Sequence, residues 1–206
     1  RELAFLNKGL EIQIREESTG KEHVFKYEGG IKEFVEFINQ NKIALHPVIY
    51  LTNEKNGTQL ELSMQYSNTY LENIFSFANT INTNEGGTHL SGFKTALTRT
   101  LNSYAEKNNL LKKGIKVSSS DTLEGLAAVI SVKLPNPQFE GQTKRRLGNS
   151  EIKGLVDSMI SSGLTSFLEE NPKIARLILD KCMNAAEARE AARKAKDMAR
   201  RKNILN

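Results

Sequence analysis

The residues best suited to chemistry lie in a polar loop over residues 138–149. Gln142 offers an amide donor, and Lys144 offers a compact cation on a long stem. Glycines at 141 and 148 allow the backbone to extend and to turn sharply. Such a pair at a loop tip is able to reach a phosphate contributed by a neighbouring domain. From composition alone, however, a solvated basic loop without a ligand is the simpler interpretation.

A second candidate is a near match to a phosphate-binding P-loop. Gly87 and Gly92 have the spacing of its two glycines, and their segment follows a predicted strand and opens a predicted helix. The motif requires a lysine directly after the second glycine, so that the amine reaches the terminal phosphates. Here Phe93 occupies that position and displaces Lys94 around the helix by about 100°. The pattern therefore favours a helix start with a packed phenylalanine.

Metal and nucleophile sites find no support in the residue spacing. The three histidines, His23, His46 and His89, are scattered, and nothing pairs them with a serine or with the single cysteine, Cys182. We predict that the histidines are surface or boundary residues. A lone cysteine excludes a disulfide scaffold and indicates a reducing, cytoplasmic compartment.

The net charge of the 206-residue chain, +5, is concentrated at its C-terminal end. From Lys181 onward eight residues are basic and three are acidic, which accounts for the whole excess. The segment is typical of a solvated helix, and the alternative is a stand-alone nucleic-acid-binding module that contacts phosphates. No apolar run approaches the roughly 20 residues that a membrane-spanning helix needs. The chain begins at Arg1 without a methionine or a signal segment, as we expect of a fragment of a longer polypeptide.

Hydrophobic periodicity and turn signals predict both strands and helices. Lys55-Asn56-Gly57 is a strong hairpin signal, and residues 126–134 are apolar enough for a strand that is covered on both faces. Asp121, with Glu124 three residues on, predicts a short capped turn. The predicted strands are residues 10–15, 23–27, 46–51, 60–66, 70–78 and 126–134, and the predicted long helices are residues 31–41, 88–108, 150–170 and 172–202.

Several long segments, in the same order, resemble the B subunits of bacterial DNA gyrase, a family of type IIA topoisomerase subunits. They are residues 85–105, 124–152 and 170–202, and residues 23–39 resemble the segment just upstream. The paralogous topoisomerase IV B-type subunit shares many of these motifs, and residues 136–140 favour gyrase. The resemblance covers nearly the whole chain.

The resemblance implies that residues 1–170 form a transducer domain. Its expected fold is an α/β two-layer sandwich related to domain 2 of a small-subunit ribosomal protein. A four-stranded sheet with a left-handed βαβ crossover is expected, with residues 10–27 as candidate edge elements. Residues 171–206 would form a long basic C-terminal helix leading toward a TOPRIM domain.

The resemblance also implies the functional residues. Gln142 and Lys144 would contact the γ-phosphate of ATP bound in the preceding ATPase domain, with Lys144 as the catalytic residue. The helix that carries Lys94 would line a cavity through which DNA passes. The full-length protein would use ATP with Mg²⁺, whereas this chain alone would bind no cofactor and would neither hydrolyse ATP nor cut DNA.

The expected partners follow from the same resemblance. They are DNA and the gyrase A protein, in an A2B2 heterotetramer. The B protein would form a homodimer through its ATPase domain, would work in the cytoplasm without a membrane, and would introduce negative supercoils. An independent enzyme is a further alternative, for which the residues offer no site.

Overall fold

The computed structural model describes residues 1–112 and 115–204, with side chains through residue 200. The strands are β1 Ile12–Arg15, β2 Glu22–Phe25, β3 Ile49–Lys55, β4 Thr58–Tyr66, β5 Asn73–Ala78, β6 Ile81–Asn82, β7 Leu126–Lys133, β8 Phe139–Glu140 and β9 Arg146–Leu147. The helices are α1 Glu2–Leu6, α2 Ile31–Asn39, α3 Thr88–Lys107, α4 Ser119–Leu123, α5 Ser150–Glu170 and α6 Pro172–Ile204.

A mixed sheet in the order β3-β4-β7-β5-β6 forms the centre of the fold. Strands β3 and β4 make the predicted hairpin, in which Asn56 and Gly57 both have positive φ. Strand β7 pairs antiparallel with β4 and parallel with β5, so the chain crosses over between β5 and β7 through α3 and α4. The sheet has five strands where four were expected, because the two-residue strand β6 adds an edge to the four long strands. Strands β1 and β2 form a hairpin sheet of their own.

Both faces of β7 are buried, as its apolar sequence predicts. Alternate residues such as Ala128 and Ile130 join a large core with α3, α5 and the first half of α6. The intervening Ala127 and Val129 join a smaller core with α1 and α2. Helices thus pack against both faces of the sheet, with α3, α5 and α6 on one face and α1 and α2 on the other, so the expected two-layer arrangement is not confirmed.

Helices α3 and α5 cross very closely at Gly92. A Cβ atom at this position would lie 2.5 Å from the carbonyl oxygen of Lys153. The next residue, Phe93, is completely buried in the main core. The near match to a P-loop is therefore a helix-packing feature, as the sequence favoured.

Two of the three histidines are buried, so their predicted placement at the surface or boundary was wrong. His46 donates from Nδ1 to the carbonyl of Pro47 (2.7 Å) and accepts the Tyr66 N–H at Nε2 (3.0 Å). His89 is completely buried, with Nε2 3.1 Å from Oγ1 of Thr83. Burial lowers the pKa of both imidazoles, that of His89 to about 4. Both ring nitrogens of His46 are hydrogen-bonded, whereas His89 is bonded only at Nε2 and its Nδ1 is buried without a partner among the described residues. His23 is the exposed histidine.

Helix α4 begins earlier than the predicted capped turn. Ser118 is the N-cap, and its Oγ accepts from the backbone N–H of Asp121 (3.4 Å). The Asp121 carboxylate accepts in return from the backbone N–H of Ser118 (2.7 Å), which completes a capping box. Asp121 is thus the third residue of the helix rather than its cap.

The final helix, α6, is only partly solvated. Its first half contributes buried side chains from Ala175 to Ala186 to the main core, and residues 191–200 are all exposed. We call residues 191–204 the α6 overhang. The side chains of the basic residues Arg201 and Lys202 lie outside the described residues. The division into residues 1–170 and 171–206 stays a prediction.

Candidate functional site

The 138–149 loop is a small hairpin rather than an irregular loop. Strands β8 and β9 pair antiparallel, and the N–H of Gly148 donates to the carbonyl of Gln138 at 2.7 Å. Strand pairs of two residues are too short to show a period in the sequence. Their consequence is a defined tip, residues 141–144, at the end of an ordered stem.

The stem is fixed against the N-terminus of α3. Leu147 is completely buried and donates its N–H to the carbonyl of Gly86 (3.2 Å), while Glu85 donates to the carbonyl of Arg145 (3.0 Å). Gly87 makes this approach possible, because a Cβ there would lie 2.5 Å from the backbone N and O of Leu147. The two glycines that resemble a P-loop therefore allow close packing contacts: Gly87 with the candidate loop and Gly92 with α5.

Asn149 fixes the other end of the stem to α5. Its buried side chain accepts the Gln138 N–H at 2.7 Å and donates to the carbonyl of Asn136 at 3.1 Å. The same amide donates to the Glu151 carboxylate at 2.9 Å and thereby lowers the pKa of Glu151. Helix α5 begins directly after Asn149, so the stem and the helix are one hydrogen-bonded unit.

At the tip, Gln142 and Lys144 are both exposed. The tip turns at Gly141 (φ +75°), whose surroundings are open, and Lys144 itself has a left-handed backbone (φ +54°). Among the described residues, neither the Gln142 nor the Lys144 side chain forms a hydrogen bond or an ion pair. The structure thus brings the two predicted phosphate-contacting residues together at one exposed turn.

The two arginines that follow Lys144 each have a carboxylate neighbour, whereas Lys144 has none among the described residues. Arg145 lies 3.6 Å from the carboxylate of Glu85, and Arg146 lies 3.1 Å from that of Glu140. Within the described part of the loop, Lys144 is therefore the cation available to an external anion. A lysine and an amide donor at an exposed turn can hold a phosphate oxygen through charge-assisted hydrogen bonds.

Lys94 lies on α3 and is engaged elsewhere. Its Nζ is 2.6 Å from the carboxylate of Glu72, and about a third of its side chain is exposed. Further along the same helix, Arg99 pairs with Asp157 at 2.8 Å. Ion pairs of this kind are usual on a helix surface, and the DNA-facing role of Lys94 stays a prediction.

The described residues contain no cluster of three or more His, Cys, Asp or Glu side chains placed to hold a metal ion. Over the same residues, none of the helices is long and apolar enough to cross a membrane. Cys182 is a buried free thiol. The hairpin tip is therefore the candidate site that sequence and geometry both support.

Comparison with known proteins gives concordant results. The family model of DNA gyrase B matches residues 30–198. The gyrase B subunits of Myxococcus xanthus and Clostridium acetobutylicum are 56% and 52% identical to this chain over its full length. The chain covers 26% and 33% of those relatives, so it spans a quarter to a third of their length.

Two solved structures with significant sequence identity share the fold. The 43K ATPase domain of Thermus thermophilus gyrase B, in complex with an aminocoumarin, has a TM-score of 0.84 at 40% identity, covering 96% of this chain and 54% of that one. The topoisomerase IV ATP-binding domain of Francisella tularensis, in complex with a small-molecule inhibitor, has a TM-score of 0.75 at 31% identity, covering 91% and 51%. With the family model matching most of its length, the chain belongs to the DNA gyrase B family.

Proposed function

We propose that this chain is the transducer domain of a gyrase B protein, and that the tip of the 138–149 loop senses the γ-phosphate of ATP held by a preceding ATPase domain. The observation that carries the proposal is the contrast between an anchored stem and an exposed tip. The stem is hydrogen-bonded to α3 and α5, whereas Gln142 and Lys144 face outward without partners among the described residues. An anchored stem with two unpaired polar side chains at its tip suits contact with a group outside its own domain.

The chemistry of the tip fits a terminal phosphate. A lysine that meets a phosphate oxygen away from bulk water forms charge-assisted hydrogen bonds worth about 1.5–3 kcal/mol each. The left-handed backbone of Lys144 costs about 1–2 kcal/mol relative to ordinary conformations. Strain of this kind persists at functional sites where the surroundings hold it in place, and the anchored stem supplies that restraint.

In this proposal, ATP with Mg²⁺ supplies the phosphoanhydride bond that is broken. Lys144 would balance the negative charge on the γ-phosphate and stabilise the additional charge of the transition state. Gln142 would hold a second oxygen and orient the group. After hydrolysis and phosphate release Lys144 loses its partner, so the contact between the two domains changes with the nucleotide.

The same stem would pass this change onward. Leu147 and Asn149 connect the tip to α3 and α5, and α6 follows α5 after Asn171. We infer that reorientation of the loop moves this helical layer as a body, because packed interiors transmit displacement instead of absorbing it. Residues 171–206 would then carry the movement toward the DNA-cleaving part of the enzyme.

The remaining features belong to the whole protein. As a gyrase B protein it would work with the gyrase A protein in an A2B2 complex in the cytoplasm, dimerise through its ATPase domain and pass DNA along the helix that carries Lys94. Its activity would be ATP-dependent negative supercoiling. The β5-to-β7 crossover would have the left-handed form of the ribosomal-protein-like fold.

The test uses the full-length protein with the substitution Lys144→Ala. We expect ATP hydrolysis to fall at least a hundredfold, because a single transition-state charge contact contributes about 3 kcal/mol. Lys153→Ala is the matched control, since it removes an exposed lysine from α5 just beyond the loop. Near-normal hydrolysis by the Lys144 variant, with its fold intact by circular dichroism, would disprove the role of the tip.

A further inference from the structure

The α6 overhang leaves the body of the protein at a defined point. Residues 191–200 are exposed, whereas the preceding turns are packed or ion-paired. A helix transmits a movement only if its attachment holds its direction, because a loose attachment would let it swing. The contacts of the last attached turn therefore determine what the overhang can do.

That last turn is attached by Arg189 to a buried carboxylate. Nε of Arg189 lies 3.0 Å from Oδ1 of Asp121, and the guanidinium also donates to Oδ2 at 3.0 Å. Asp121 is only 3% exposed, and Oδ2 accepts two further hydrogen bonds, from the backbone N–H and the hydroxyl of Ser118, both at 2.7 Å. Burial alone would raise the pKa of Asp121, but the hydrogen bonds from Arg189 and Ser118 outweigh it and lower the pKa.

Asp121 is itself tied to the central sheet. It lies in α4, which is followed after two residues by β7. The hydroxyl of Tyr66, at the end of β4, donates to the carbonyl of the next residue, Thr122, at 2.6 Å. Arg189 also donates to the carbonyl of Lys116 at 3.2 Å, in the segment just before α4. A load on Arg189 is therefore received by α4, its flanking segment and the central strands to which α4 is bonded.

The contacts on either side show that Arg189 is the last link. Earlier on α6, Lys181 donates to the carbonyl of Thr69 (2.8 Å), and Glu187 pairs with Lys112. One turn beyond Arg189, Arg193 pairs with Glu190 of its own helix at 2.8 Å. Within the described part of the chain, no side-chain hydrogen bond or ion pair joins residues 191–200 to the body.

We propose that the Asp121–Arg189 pair is the joint that fixes the direction of the α6 overhang, so that movement of the sheet and its helices is passed on as a directed displacement. Both are positioning residues, and the proposal rests on the transducer function proposed above. A bidentate, planar arginine–carboxylate pair suits this task, because it fixes orientation as well as distance.

The test measures coupling instead of activity alone. Full-length B proteins carrying Arg189→Gln, Asp121→Asn or both are combined with the gyrase A protein, and ATP hydrolysis and DNA supercoiling are measured in the same reaction. We expect supercoiling per ATP hydrolysed to fall at least fivefold in each variant, with hydrolysis within twofold of the parent. The double variant is the critical test, because each single substitution leaves one charged partner unpaired and could impair folding. The double substitution removes both charges.

Arg193→Gln is the matched control. It removes an arginine one turn away whose partner, Glu190, is on the same helix. Arg189 also contacts Glu190 (2.9 Å), but its bonds to Asp121 do not depend on Arg193, so coupling should stay at the parent level. The proposal would be overturned if the double variant kept the parent's supercoiling per ATP hydrolysed, or if the Arg193→Gln control lost as much of it as the double variant. Parallel loss of hydrolysis and supercoiling would also overturn it, since that result indicates a purely structural pair. The Lys144→Ala assay distinguishes this proposal from the proposed function. Normal ATP hydrolysis by that variant would disprove the γ-phosphate sensor, whereas unchanged supercoiling per ATP hydrolysed in the Asp121 and Arg189 double variant would disprove only the joint.

Discussion

Lys144 is one of three consecutive cations, residues 144–146, and the sequence does not distinguish them by charge. The structure does, because the two arginines have carboxylate neighbours and the lysine has none among the described residues. The resemblance to gyrase B subunits had already selected Lys144 together with Gln142. The role of these two residues stays a prediction, and the pairing of the neighbouring arginines distinguishes Lys144 from the other two cations.

His89 should make the stability of the chain depend on pH. Burial lowers its pKa to about 4, whereas an unfolded histidine titrates near 6.5. The unfolded state therefore binds more protons between these values, and stability is lost as the pH falls from about 6.5 to about 4. The full shift corresponds to about 3 kcal/mol. Urea unfolding at a series of pH values measures this loss.

His89→Gln is the comparison for that measurement. Glutamine cannot titrate, so the unfolding free energy of the variant should change by about 3 kcal/mol less across the same window. The pKa of His46 is also lowered, so part of the pH dependence should remain in the variant. Identical pH profiles for the parent and the variant would show that His89 does not titrate as the structure implies.

Among the structural elements, the contact between the loop stem and α3 depends on a single glycine. Gly87→Ala would place a Cβ 2.5 Å from the backbone of Leu147, at a φ of +137°. We expect a loss of about 3 kcal/mol from steric overlap and backbone strain together. Gly141→Ala is the control, because its φ is +75° but its surroundings are open, and we expect about 1 kcal/mol.

Chemical denaturation of both variants decides this point. A larger loss at Gly87 identifies the stem contact as a tight junction between the loop and α3. Equal losses would mean that the backbone yields at Leu147, and would contradict a tight junction at Gly87.

The long elements were predictable because their periodicity extends over many residues. Helices α3, α5 and α6 begin where the sequence placed them, and the glycine turn between β3 and β4 gave the hairpin. The short strands β8 and β9 were missed because two residues show no alternation. The cap of α4 was misplaced because Ser118, Asp121 and Glu124 each fit a capping pattern, and only the tertiary contact of Asp121 distinguishes them.

Across the whole molecule, the features that sequence could not supply are long-range polar contacts. Asp121 and Arg189 are 68 positions apart, and nothing local marks either as a partner of the other. The burial of His46 and His89 likewise depends on acceptors and donors that the fold brings close. Such contacts hold α4 and the attached part of α6 to the central sheet.

The central claim is that Lys144 enters a neighbouring nucleotide site when the γ-phosphate is present. Acetylation of lysines in the full-length protein, followed by mass spectrometry, measures the accessibility of Lys144 directly, with Lys153 as an internal reference. We predict that acetylation of Lys144 is at least tenfold slower when the protein holds a non-hydrolysable ATP analogue than when it holds ADP. The acetylation rate of Lys153 should be the same in both states. Equal reaction of Lys144 in both nucleotide states would contradict the account.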